Sequence, residues 1–117
     1  MVYVNIIKNA SYENLDLIRR FFRGVNFKSV EITMEYDCQR GLPDEKDTKK
    51  WPFKAYLVGE KEIYDVQIYN LSVGYGGTGP HDFADILNFF KVPFDEEDVF
   101  TKRRMGHDGV IRLKFSR

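Results

Sequence analysis

The stretch from Val30 to Tyr36 alternates apolar and polar residues without a break. A β-strand points successive side chains to opposite faces of its sheet, so this pattern predicts one buried face and one face in water. A chain that contains such a strand must cover one side of its sheet with other elements. The buried set is Val30, Ile32, Met34 and Tyr36, and the wet set is Glu31, Thr33 and Glu35.

The rest of the chain supplies the other strands and the helices. Apolar alternation predicts strands over residues 2–6, 53–57, 64–73 and 111–115, with a hairpin turn at residues 59–61. Helical spacing predicts helices over residues 11–24, with Ser11 as the N-cap, and over residues 80–91, and a short third helix is predicted after the cap residue Asp95. The order β-α-β-β-β-α-α-β indicates one α+β domain over residues 1–117: a mostly antiparallel sheet of about five strands, two main helices on one face and a short third helix.

Composition narrows the classes of partner. The 117 residues suit a single core, and 10 Phe and 7 Tyr predict that it is rich in aromatic side chains. With 18 basic and 18 acidic residues, no overall charge attracts nucleic acid or an anionic membrane, so neither partner is expected. One cysteine, Cys38, excludes an internal disulfide, and no apolar run approaches the roughly 20 residues of a membrane span. We therefore expect a cytoplasmic protein.

Four glycines between residues 74 and 79 follow an apolar strand and precede a helix, and they satisfy the pattern G-x-G-x-x-G. A dinucleotide-binding fold would need another parallel strand ending in an acid soon after that helix, but residues 92–98 form an acidic helix start. A Walker loop would need Lys and then Ser or Thr after the last glycine, where Pro80 and His81 stand. Neither of these folds is predicted.

The glycine loop nevertheless has the chemistry of an anion site. Glycines can adopt positive φ and expose successive backbone N–H groups, and the following helix start carries a partial positive charge. We expect Tyr75 to offer a stacking surface, and Arg104 or Arg112 to close over the ligand. The alternative is that the glycines only permit a tight strand-to-helix turn. The predicted ligand-binding residues are Tyr75, Gly76, Gly77, Thr78, Gly79, His81, Arg104 and Arg112.

No catalytic set emerges from the remaining reactive residues. Two His-Asp pairs, at residues 81–82 and 107–108, lack a recognised ligand spacing, and adjacent helical side chains point in different directions. Cys38 has no evident activating neighbour. The sequence therefore predicts no catalytic residue, no metal and no cofactor, and it favours a binding protein over an enzyme.

The functional expectation is a non-enzymatic protein that binds a small anionic ligand, such as a nucleotide or a nucleotide-derived signal, to sequester or sense it. The alternative is a protein-interaction module, such as a phage-type inhibitor or immunity protein, that contacts its partner through a charged loop before Trp51. An exposed edge strand would also permit a homo-oligomer. The partner-binding residues of the alternative are Trp51, Asp44, Glu45 and Asp47.

Overall fold

The computed structural model describes residues 1–117, and the elements follow the predicted order. The predicted α+β fold is confirmed. No helix has both the length and the apolar character needed to cross a membrane. A single 3-10 turn, Thr48–Lys50, lies in the loop between the second and third strands. The elements are β1 (Val2–Ile6), α1 (Ser11–Phe21), β2 (Phe27–Asp37), β3 (Phe53–Gly59), β4 (Ile63–Ile68), α2 (Thr78–Phe89), α3 (Glu96–Phe100) and β5 (Val110–Ser116).

The five strands form one sheet in the order β1-β4-β3-β2-β5. The central run from β4 to β5 is antiparallel throughout, and a short hairpin joins β3 to β4. Strand β1 joins the edge by pairing in parallel with β4, with Val2 opposite Tyr64 and Ile6 opposite Ile68. The carboxyl ends of β1 and β4 therefore lie side by side.

Both main helices pack on one face of this sheet. Three of the four residues of β2 that the alternation predicts as buried, Val30, Ile32 and Met34, are buried, and the fourth, Tyr36, is half-buried against the core. The first three join a core of 23 buried residues that includes Phe22 of the α1 end and Phe83 of α2. The opposite, open face carries the exposed side chains of the alternation, among them Glu31, Glu35, Arg112 and Lys114.

Several boundaries differ from the sequence expectation, and three of them lie at the ends where the main helices begin. Helix α2 begins at Thr78, two residues before Pro80, because Gly77 is extended and serves as the N-cap. Strand β4 ends at Ile68, and the apolar residues up to Val73 continue as buried chain without strand pairing. Ser11 is the first residue of α1 and not its N-cap; Ala10 holds that position and makes no side-chain cap.

Candidate functional site

Two helix starts meet in a cleft on the helix side of the sheet. Helix α1 follows β1, α2 follows β4, and these strands are parallel neighbours, so both helices begin at the same end of the sheet. The space between their first turns, which we call the helix-end cleft, has a volume of about 670 Å³. It is lined by residues 9–12, by Asn70, Ser72 and Tyr75, and by Thr78, Gly79, His81 and Asp82.

Backbone N–H groups at both helix starts are free in this cleft. The backbone N–H groups of Thr78 and Gly79 in α2, and of Ser11 and Tyr12 in α1, donate no hydrogen bond within the chain. The first N–H groups of any helix have no intrahelical partner, and they attract anions when no side chain caps them. Neither α1 nor α2 has a side-chain cap. The cleft therefore presents four unused donors.

The glycine loop contributes less directly than its pattern suggests. Of its glycines, only Gly74 adopts a left-handed φ, +95°. Gly76 and Gly77 also have unbonded N–H groups, but they do not line the cleft. The expectation that successive glycines turn inward through positive φ is wrong, because the chain makes one sharp bend at Gly74 and then runs into α2.

Close packing explains two of the glycines. A β-carbon at Gly77 would collide with the ring of Tyr75, and one at Gly79 would collide with the hydroxyl of Ser72. The Tyr75 hydroxyl is hydrogen-bonded to that same Ser72 hydroxyl at 2.8 Å, while 47% of Tyr75 stays exposed. Tyr75 thus folds over its own loop and forms a wall of the cleft.

Asp82 supplies the only carboxylate in the cleft wall. It accepts a hydrogen bond from the hydroxyl of Ser11, a residue 71 positions earlier in the sequence, and so joins the start of α1 to the second turn of α2. Sequence reasoning did not select Asp82 or Ser11 for the site, because only the parallel pairing of β1 with β4 brings them together.

A network of asparagines fixes the wall beneath the cleft. Asn14 is fully buried and donates to the Asn70 carbonyl at 2.8 Å. The Asn70 amide in turn donates to the carbonyls of Lys8 and Asn9, at 3.1 and 2.9 Å. These bonds hold the chain after β1 against the chain after β4.

The arginines predicted to close the site lie elsewhere. Arg104 binds Asp98 at 3.0 Å, beside α3. Arg112 binds Asp108 at 2.8 Å on the open face of the sheet. Neither lines the helix-end cleft, which corrects the expectation that they would approach the glycine loop. His81 does line the cleft, and its ring packs on Phe100 with a centroid distance of 4.7 Å.

The residues of the alternative interface do not form one exposed patch. Trp51 is only 2% exposed, and its indole N–H donates to the Glu45 carbonyl at 3.2 Å. It anchors the loop from inside and is not available to a partner, which corrects its predicted role. Asp44 and Glu45 are exposed, whereas Asp47 is half-buried and lies 3.8 Å from Lys50.

The remaining reactive groups include the lone thiol of Cys38 and the scattered histidine and carboxylate side chains. Burial raises the pKa of the Cys38 thiol, although the nearby Lys102 acts in the opposite direction. A raised pKa leaves less thiolate, which is the nucleophilic form. No group of three or more His, Cys, Asp or Glu side chains is placed to hold a metal ion.

A second cavity lies on the open face of the sheet and was not anticipated from the sequence. It has a volume of about 900 Å³ and separates the loop over residues 39–52 from strands β2, β3 and β5. We call it the loop–sheet cavity.

Comparisons with protein-family models, with curated proteins and with solved structures find no match to this chain.

Proposed function

We propose that this protein binds a nucleotide or a nucleotide-derived signal in the helix-end cleft, without catalysis. The observation that carries the proposal is the set of four unbonded N–H groups, from Ser11, Tyr12, Thr78 and Gly79, at the convergence of two helix starts. Such groups hold phosphate oxygens by hydrogen bonds and by the positive ends of the helix dipoles.

The carboxylate of Asp82 favours a ligand that is more than a bare anion. A phosphate close to Asp82 would be repelled, whereas a ribose hydroxyl would donate a hydrogen bond to it. A nucleotide satisfies both ends of the cleft: its phosphate lies at the N–H groups and its sugar at the carboxylate. The exposed part of Tyr75 and the ring of His81 offer aromatic surfaces to a base.

Thr78 allows the backbone donor to be tested separately from the side chain. Proline is well tolerated at the first position of a helix and removes the N–H group there. The residue before a proline must be extended, and Gly77 is extended, with ψ −172°. Thr78→Pro therefore deletes one donor from the cleft with little strain. Thr78→Ala keeps the N–H group and removes only the side chain.

We expect AMP, ATP or a cyclic dinucleotide to raise the melting temperature of the wild-type protein. Loss of one hydrogen bond to a charged phosphate costs about 1.5–3 kcal/mol, so Thr78→Pro should weaken binding about tenfold or more in calorimetry. Thr78→Ala should lose clearly less. If none of these ligands binds, or if the proline and alanine variants lose affinity equally, the backbone N–H groups are not the site.

A further inference from the structure

We propose that the loop–sheet cavity is a second, separate binding site, and that its ligand is a compact polyanion built from phosphate or carboxylate groups. The cavity lies on the opposite face of the sheet from the helix-end cleft, and the two share no lining residue. The proposal therefore does not depend on the function proposed above.

The roof of this cavity is held in place by three anchors. The Trp51 indole donates to the Glu45 carbonyl at 3.2 Å, and the Tyr69 hydroxyl donates to the Pro43 carbonyl at 3.0 Å. The ammonium of Lys54, on the sheet, donates to the Lys49 carbonyl at 2.6 Å. One bond thus closes the loop on itself, and the other two tie it to the chain after β4 and to β3.

The floor of the cavity carries a row of groups that suit an anion. In the sheet register Thr33 lies directly opposite Lys54 on one side and Lys114 on the other. The three side chains leave the same open face of neighbouring strands, which are about 4.8 Å apart. A hydroxyl donor is therefore flanked by two ammonium groups whose flexible stems can converge on one ligand.

Three of the six basic residues that line this cavity are not paired with a carboxylate of the chain. Lys49, Lys54 and Lys114 form no ion pair. Lys54 uses one of its three donors on a carbonyl, and Lys114 makes no hydrogen bond. The cavity thus retains several positive charges that no carboxylate of the chain contacts.

The carboxylates around the cavity are already engaged. Asp37 accepts from the backbone N–H groups of Gln39 and Arg40 at 2.9 and 3.0 Å, and Asp44 accepts from that of Lys46 at 3.0 Å. The remaining two, Asp47 and Glu35, lie 3.8 and 4.0 Å from basic side chains. A ligand would therefore meet free ammonium groups and occupied carboxylates.

The size of the cavity and the number of free cations together define the ligand. A volume of about 900 Å³ is far larger than one phosphate ion and falls within the range of metabolite pockets, about 300–1,000 Å³. More than one free lysine favours more than one negative charge. We infer a small molecule with adjacent phosphoryl or carboxylate groups.

Calorimetry with inorganic tripolyphosphate and with citrate tests the site and separates the two chemistries. We expect at least one of them to bind the wild-type protein, and Lys54→Gln/Lys114→Gln to weaken that binding about tenfold or more. Lys28→Gln/Lys61→Gln removes the same charge from exposed lysines outside the cavity, and it should leave affinity within about twofold. The single variant Lys114→Gln should also weaken binding, and it preserves the fold because Lys114 is exposed and forms no ion pair.

Four results would overturn the inference. The first is that neither probe binds, and the second is that both double variants weaken binding equally, which indicates general charge attraction. The third is that Thr78→Pro weakens binding while the cavity variants do not, which moves the polyanion to the helix-end cleft. The fourth is that the cavity lysines bind only a single-stranded oligonucleotide. Unchanged polyanion binding by Thr78→Pro, with loss in Lys114→Gln, supports it.

Discussion

The hydroxyl of Ser72 lies where a β-carbon on residue 79 would have to go. An alanine at that position would force Ser72 to rotate and break its 2.8 Å hydrogen bond to Tyr75. Gly76, three residues earlier, has open space within 4 Å of the position that a β-carbon would take, and it does not adopt a left-handed φ. Neighbouring glycines of one loop therefore have different reasons to be glycine.

We predict that Gly79→Ala lowers the free energy of unfolding by about 1–2 kcal/mol, because it costs a part-buried hydrogen bond and crowds the wall of the cleft. Gly76→Ala should be neutral or should stabilise the protein by up to about 1 kcal/mol, since it only restricts the unfolded chain. Urea unfolding of both variants measures the difference. Equal free energies of unfolding for the two variants would contradict the packing at Ser72.

At the scale of elements, α3 depends on charged contacts around it. A helix of five residues is too short to be stable alone. Asp95 caps its first turn by accepting from the Glu97 N–H group at 3.0 Å, as the sequence predicts. Arg103 then reaches back to Asp95, Glu97 and Asp98, with nitrogen–oxygen distances of 2.9, 2.7 and 2.5 Å.

These contacts make the stability of the protein sensitive to acid. The hydrogen bond from Arg103, followed by that from the Glu97 N–H group, lowers the pKa of Asp95. Burial acts to raise the pKa of Asp98, but hydrogen bonds from Arg103 and Arg104 outweigh it, so this pKa is also lowered. Carboxyls with a lowered folded-state pKa stabilise the fold above their unfolded value, about 3.9, and lose that contribution as the pH falls through the folded value.

We predict that Arg103→Gln flattens the decrease in melting temperature between about pH 5 and pH 2, because Asp95 and Asp98 then titrate closer to their unfolded values. Above about pH 5 the variant should melt below the wild type. Arg23→Gln removes an exposed arginine that has no ion pair. The melting temperature of this variant should depend on pH in the same way as that of the wild type. Identical pH profiles for wild type and Arg103→Gln would show that these ion pairs contribute nothing.

Local patterns in the sequence predict the elements better than the site. The strict alternation over β2 predicts its buried face, because side-chain direction in a strand follows from position alone. The glycine loop also points to the start of α2, where the helix-end cleft lies. The contact between the two helix starts cannot be predicted in the same way. The Ser11–Asp82 hydrogen bond spans 71 residues and depends on β1 pairing in parallel with β4. No local period encodes that pairing, nor the position of the 39–52 loop over the open face.

At the scale of the whole molecule, the sheet has a protected centre and two unlike edges. Strands β4, β3 and β2 are paired on both sides, whereas β1 and β5 are each paired on one. Strand β5 carries Arg112 and Lys114, and charged side chains discourage pairing with another chain. Strand β1, VYVNI, has no charge, and Tyr3 is 73% exposed.

We predict that native-state hydrogen exchange is slowest in β3 and faster in β1, because an edge strand can open without breaking the core. The measurement is the protection of individual amides under conditions where exchange reports opening. Val4 and Ile6 of β1 should exchange before Ala55 and Leu57 of β3. Protection of β1 equal to that of β3 in dilute solution would contradict a monomer with a free β1 edge, and concentration dependence would then identify pairing between copies.

The register of the sheet also determines where the two ends of the chain lie. Val2 is opposite Tyr64, Tyr64 is opposite Leu57, Leu57 is opposite Val30, and Val30 exchanges two backbone hydrogen bonds with Arg117. Both termini thus flank a single row at one end of the sheet, about 19 Å apart across four strand spacings. The helix-end cleft and the loop–sheet cavity both open at the other end. A purification tag, a surface-coupling group or a fluorescent label attached beside Val2 or Arg117 would therefore lie away from both cavities.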